Sequence, residues 1–174
     1  MIHVSEKFPI FAVEMATSIC KPITIILLAL WLVPAISKAQ AFKLKKEHDS
    51  LYWLNDWRLP YPVYRFQTGD VDGDGREDAM VGVVKSTRFY PEKARRLFIF
   101  KDVNGKARPM WLGSKLGGIL EDFRFVDGKI RALESTSDSL YVVSDYHWGG
   151  FGMTFDHHII KGTDKETAIK YFSQ

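Results

Sequence analysis

Gly69-Asp70-Val71-Asp72-Gly73-Asp74-Gly75-Arg76-Glu77-Asp78 sets aspartates at positions 1, 3, 5 and 9 and glycines at 4 and 6, counted from Asp70. Carboxylates crowded this closely repel one another unless a cation neutralises them. Ca²⁺ takes about six to eight hard oxygen ligands at about 2.3–2.6 Å. Asp70, Asp72 and Asp74 can each offer an oxygen from a tightly curled loop, the backbone carbonyl of Arg76 points inward, and Asp78 closes the shell. Gly75 allows the positive φ that such a turn needs. Mg²⁺ fits less well, because it keeps its waters and demands a rigid octahedron. An EF-hand is excluded: its twelfth position needs a bidentate Glu and here holds Val81, and it needs flanking helices where both flanks here read as strands. The competing reading is an ion-free Asp/Gly turn.

Outward from the loop, the chain reads as short strands separated by turns. Val63–Thr68 alternates, with Tyr64 and Phe66 on one side, and Ala79–Val84 is a small apolar run of the buried-strand kind. Leu97–Phe100 and Ala107–Leu112 flank Asn104-Gly105, a strong hairpin signal. Phe123–Val126 and Lys129–Glu134 flank Asp127-Gly128, a second hairpin turn, and Leu140–Tyr146 and Met153–Lys161 are joined through Gly149-Gly150-Phe151-Gly152. Lys165–Phe172 fits a last strand or a short helix. The predicted class is therefore all-β and antiparallel, with two small sheets of about four strands each, over 63–112 and 123–161, arranged as propeller-like blades or as a sandwich.

Around the loop, Phe66-Gln67-Thr68-Gly69-Asp70-Val71-Asp72-Gly73-Asp74-Gly75-Arg76-Glu77-Asp78-Ala79-Met80-Val81-Gly82, with Leu97-Phe98-Ile99-Phe100 as a third strand, resembles the FG-GAP (VCBS-like) repeat family. Its members include the calcium-binding blades of integrin α-subunit propellers and many bacterial surface proteins. The resemblance covers about residues 63–101. It implies a Ca²⁺ site formed by Asp70, Asp72, Asp74, Arg76 (through its carbonyl) and Asp78. A propeller commonly needs about four to eight blades, and this chain has room for two or three, so a complete single-chain propeller is not expected.

The N-terminal third reads differently. Pro22–Ile36 is an uncharged apolar run preceded by Lys21 and followed by Ser37-Lys38-Ala39, the pattern of a secretory signal peptide over 1–39. The run is short for a membrane anchor, which needs about 20 apolar residues. Glu6 and Glu14 place acid where a signal should be basic, and a start at Met15 gives a cleaner leader. Cys20 is the only cysteine, so the processed chain is expected to hold no disulfide, thiol nucleophile or cysteine metal site. Residues 40–62 read as a polar, basic arm or short helical lead-in, then an aromatic segment broken by Pro60 and Pro62. Residues 63–174 read as the β domain, with the calcium loop at 70–78.

The remaining candidates are weaker. Strand alternation sends Asp156 and His158 to one face and His157 to the other, so the two histidines are not expected to chelate one ion. His147 beside Trp148 is a rim candidate. Tyr52, Trp53, Trp57, Tyr61 and Tyr64 fit either a core or a sugar-stacking platform. Lys93, Arg95, Arg96 and Lys101 read as solvated hairpin charges, and the Glu121-Asp122 pair is compatible with glycoside hydrolysis. There is no Gly-x-Ser-x-Gly elbow. A net charge of +3 is too small for a nucleic-acid footprint. The expected protein is a secreted or periplasmic, non-enzymatic calcium-binding module for a protein or glycan ligand, without a membrane span after processing and compatible with a homo-oligomer. The alternatives are a carbohydrate-binding protein that uses the 52–64 aromatics, and a small secreted hydrolase.

Overall fold

The computed structural model describes residues 41–174, apart from 89 and 114. The expected leader over 1–39 and the start at Met15 lie outside the described residues. Strands dominate and form three open antiparallel meanders. The first sheet joins β1 (Leu44–His48), β2 (Leu51–Leu54) and β3 (Trp57–Leu59). The second joins β4 (Val63–Gly69), β5 (Asp78–Lys85), β6 (Ala94–Val103) and β7 (Lys106–Leu112). The third joins β8 (Ile119–Val126), β9 (Lys129–Ser135), β10 (Tyr141–Trp148) and β11 (Met153–Thr163). A helix, α1 (Lys165–Ser173), ends the chain. No described helix is long and apolar enough to cross a membrane.

The all-β class and the two four-stranded sheets are those expected. Asn104 and Gly105 (φ 55° and 79°), and Asp127 and Gly128 (φ 49° and 75°), make their hairpin turns with the positive φ angles that type I′ geometry requires.

Residues 44–59 depart from the expectation of an arm with a helical lead-in and form the first sheet instead. Lys43 N–H donates to Asn55 Oδ1 (2.8 Å) and Asn55 N–H to the Lys43 carbonyl (3.0 Å), fastening the start of β1 to the β2–β3 turn. Pro60 and Pro62 fall between β3 and β4, where no ladder bond is lost. The C-terminal alternative resolves to a helix. Asp164 caps it by accepting from Thr167 N–H, and Ala168 and Phe172, four residues apart, bury one face.

The second sheet is the centre of the molecule because both its faces are covered. Alternation along β5 and β6 sends Ala79, Val81, Val83, Phe98 and Phe100 to one face, where Leu54 and Leu59 pack from the first sheet and Phe42 from the residues just before it. Met80, Leu97 and Ile99 go to the other, against Phe123, Ile130, Ala132 and Tyr146 of the third sheet. The far side of the third sheet, through Leu133 and Val143, packs on Ala168 and Phe172 of α1. Between the second and third sheets, Arg65 pairs with Asp122 through both carboxylate oxygens, and Phe125 N–H donates to Gln67 Oε1 (2.8 Å).

Candidate metal centre

The aspartate loop joins β4 to β5, closed by the Gly69–Asp78 pair. Val71, buried in the core between the second and third sheets, anchors it. Gly73 and Gly75 turn the chain with φ of 77° and 82°. Asp70 is the organiser: its Oδ1 accepts from Gly73 N–H (2.8 Å) and Asp74 N–H (3.1 Å), and its Oδ2 from Gly75 N–H (2.9 Å).

Asp78, at the head of β5, is fully buried. Its Oδ2 accepts from Val71 N–H (3.0 Å), while its Oδ1 has no hydrogen-bond partner among the described residues. Burial pushes the Asp78 pKa up to about 6, against the lowering pull of the Val71 N–H bond, and the charge of Asp72 adds to the rise. Carboxylate oxygens of Asp70, Asp72 and Asp78 lie within 4.8 Å of one another, so one ion can reach all three.

Asp74 is placed differently. It accepts from Arg76 Nη2 (2.6 Å) and Nε (3.1 Å) and from Lys101 Nζ (2.9 Å). These cations, Arg76 first, hold its carboxyl well below the usual carboxylate range. Lys101 Nζ also pairs with Asp72, and the two aspartates raise the pKa of the ammonium. Arg76 therefore meets Asp74 through its side chain and, at Asp74 Oδ1, through its backbone N–H (3.0 Å). The structure brings together three of the four expected aspartates and adds Lys101, which sequence reading grouped with Lys93, Arg95 and Arg96. The signal for it is register: Phe100 pairs with Ala79, so the next residue of β6 comes up beside Asp78 and the loop.

The other candidates have structural partners. Asp122 holds Arg65, and Glu121 accepts from Ser135 Oγ (2.8 Å). Arg95 stacks over Tyr64 (5.0 Å) and Arg96 over Tyr90 (5.4 Å). Tyr52, Trp57 and Tyr61 pack against the core between the first and second sheets, and Tyr64 against the core on the other side. Trp53 stands opposite Lys45 and Arg58 and donates its indole N–H to Glu47 (2.6 Å). His147 is exposed.

Strict alternation fails along β11. Tyr146 pairs with Phe155 and Asp145 with His157, leaving Asp156 bulged. Phe155 and His158 consequently come together, with ring centroids 4.7 Å apart. Asp156 instead accepts from Lys129 and contacts His157 Nδ1 (3.1 Å).

Against known proteins, the chain matches no family model, no curated protein and no solved structure.

Proposed function

We propose that the 70–78 loop binds one structural Ca²⁺ in a secreted or periplasmic module whose role is to bind a protein or glycan ligand. One observation carries the metal reading: Asp78 places a fully buried carboxylate oxygen without a partner beside the carboxylates of Asp70 and Asp72. A buried anionic oxygen left unpaired is costly, and a hard cation is the group that removes that cost. Oxygen-only donors favour Ca²⁺ over the softer transition metals. Asp70, Asp72 and Asp78 would hold the ion. Asp74 and the Arg76 carbonyl would complete the shell if Lys101 withdraws. The ion's chemistry there is charge neutralisation and loop stiffening. The resemblance of the loop to FG-GAP repeats supports the same assignment, and the leader-like N-terminus supports the location.

Extracellular modules commonly bind Ca²⁺ with Kd of about 10⁻⁴–10⁻³ M, which matches calcium outside the cell. An ion at about 100 times its Kd stabilises by about 2.7 kcal/mol. Titration calorimetry should show one saturable Ca²⁺ site, and EDTA should lower the Tm by a few degrees, reversed by added Ca²⁺. Asp72→Ala should abolish that response while the protein stays folded at low temperature. An identical melting curve with Ca²⁺ and with EDTA, together with no heat of binding, would make the loop an ion-free acidic turn.

A further inference from the structure

At the end of β5 opposite the aspartate loop, Val83 pairs with Arg96 and Lys85 with Ala94 of β6. Arg96 is 9% exposed, and it is the most buried arginine among the described residues. An arginine is almost never buried without a partner. The half-buried arginines follow that rule. Arg65, Arg108 and Arg131 meet Asp122, Asp56 and Asp145, and Arg124 donates to the Phe172 carbonyl. Arg96 breaks it. Its Nε is shut off from solvent and has no hydrogen-bond partner among the described residues. Its guanidinium meets the Tyr90 ring instead, 5.4 Å from the centroid, and a ring face accepts no proton along a lone pair and carries no counter-charge.

Three segments enclose this group. The β5–β6 connection brings Tyr90, held by a bond from Thr87 N–H to the Tyr90 carbonyl (2.9 Å) and one from Tyr90 N–H to the Thr87 carbonyl (3.2 Å). The β7–β8 connection crosses the Arg96 stem at Gly113, where φ is 73° and a Cβ would lie 3.1 Å from Arg96 Cβ. It then brings Lys115, whose ammonium lies 5.9 Å from the same Tyr90 ring. Between them is a cavity of about 330 Å³ bordered by Arg96, Lys115, Tyr90, Pro91, Glu92 and Ile119. Its charged lining is thus two cations and one carboxylate, and Glu92 is exposed. Lys115 also borders the cavity that holds Glu134, but the Glu134 oxygens are taken by Gly118 N–H (2.7 Å) and the Tyr146 hydroxyl (2.9 Å).

We infer that this cavity binds a small monocarboxylate with a short apolar body, its carboxylate accepting from the guanidinium of Arg96 and the ammonium of Lys115. A buried guanidinium without a counter-charge is costly, and an anion seated beside it offsets that cost. Guanidinium matches a planar carboxylate closely. The single positive charge left after Glu92 is counted suits a monoanion better than a phosphate dianion. Tyr90, Pro91 and Ile119 supply the apolar wall, and the volume stands at the small end of the roughly 300–1,000 Å³ of ligand pockets. The site is separate from the aspartate loop and does not rest on the calcium assignment.

The test is an NMR and calorimetric titration of the full-length protein at pH 7 with benzoate, benzamide and phenyl phosphate. Benzoate should bind saturably, shift the Arg96 Nε–H and Tyr90 ring resonances, and bind about tenfold tighter than benzamide, which has the same shape without the charge. Arg96→Met, which keeps the stem and removes the charge, should abolish that preference. Two exposed positions test the charge argument without touching the core: Lys115→Gln should weaken benzoate and Glu92→Gln should tighten it. Equal binding of benzoate and benzamide, tighter binding of phenyl phosphate, benzoate affinity unchanged by Lys115→Gln or by Glu92→Gln, or no saturable shift would each overturn the assignment.

Discussion

Lys101 is the residue whose position most changes the chemistry of the loop. Its ammonium sits between Asp72 and Asp74, where its one positive charge is shared by two of the four clustered carboxylates without any ion. A cation entering beside Asp72 must displace this amine or share the carboxylate with it. Lys101→Met keeps a long apolar stem and removes the charge, so it should tighten Ca²⁺ binding measured by calorimetry and lower the stability of the calcium-free protein. A Ca²⁺ affinity unchanged or weakened by Lys101→Met would show that the amine is no competitor. Asp78 behaves in the opposite sense. Its buried, unpaired oxygen opposes folding without a cation, so Asp78→Asn should blunt the Ca²⁺ response while costing the calcium-free protein little. The aspartate spacing is legible in the sequence because local repulsion and turn chemistry act within nine residues. Lys101 is not, because strand register delivers it from a distant segment.

At the scale of elements, the strands most clearly legible are those whose turns carry Asn-Gly or Asp-Gly. The sheet over 44–59 is hidden for physical reasons. Lys45, Lys46, Glu47 and His48 face solvent, and strands of four and three residues are too short to show a period. The bulge at Asp156 is hidden too, since it is an adjustment of β11 to its neighbour rather than a property of its residues. Two glycines inside strands mark close contacts, Gly82 with the neighbouring strand of its own sheet and Gly69 with the third sheet. A Cβ on Gly82 would lie 2.6 Å from the Tyr64 ring, and one on Gly69 2.2 Å from the Phe125 ring. Gly82→Ala should therefore destabilise by about 1–3 kcal/mol through overpacking. Pairing it with Tyr64→Leu should recover part of the loss in a double-mutant cycle of urea midpoints. Strictly additive losses would mean that the ring is not what excludes the methyl group.

At the scale of the whole molecule, the second sheet is buried on both sides, and the first sheet is one of its two covers. Leu54 and Leu59 are both fully buried in the cluster that contains Val81, Val83, Phe98 and Phe100. If residues 40–62 were an arm, truncating those leucines would matter little, since exposed substitutions usually stay within about 0.5 kcal/mol. In the layered structure, Leu54→Ala removes core methyl groups and leaves a cavity, at a cost of about 2–5 kcal/mol. Against a total stability of about 5–15 kcal/mol for a domain, that is comparable to truncating Phe123 in the core on the other side, at about 3–5 kcal/mol. Urea titrations should therefore show Leu54→Ala and Phe123→Ala lowering the midpoint by similar amounts, each with one cooperative transition and an unchanged m-value. A Leu54→Ala midpoint at the wild-type value would detach the first sheet from the core. A separate early transition would make it an independently melting layer.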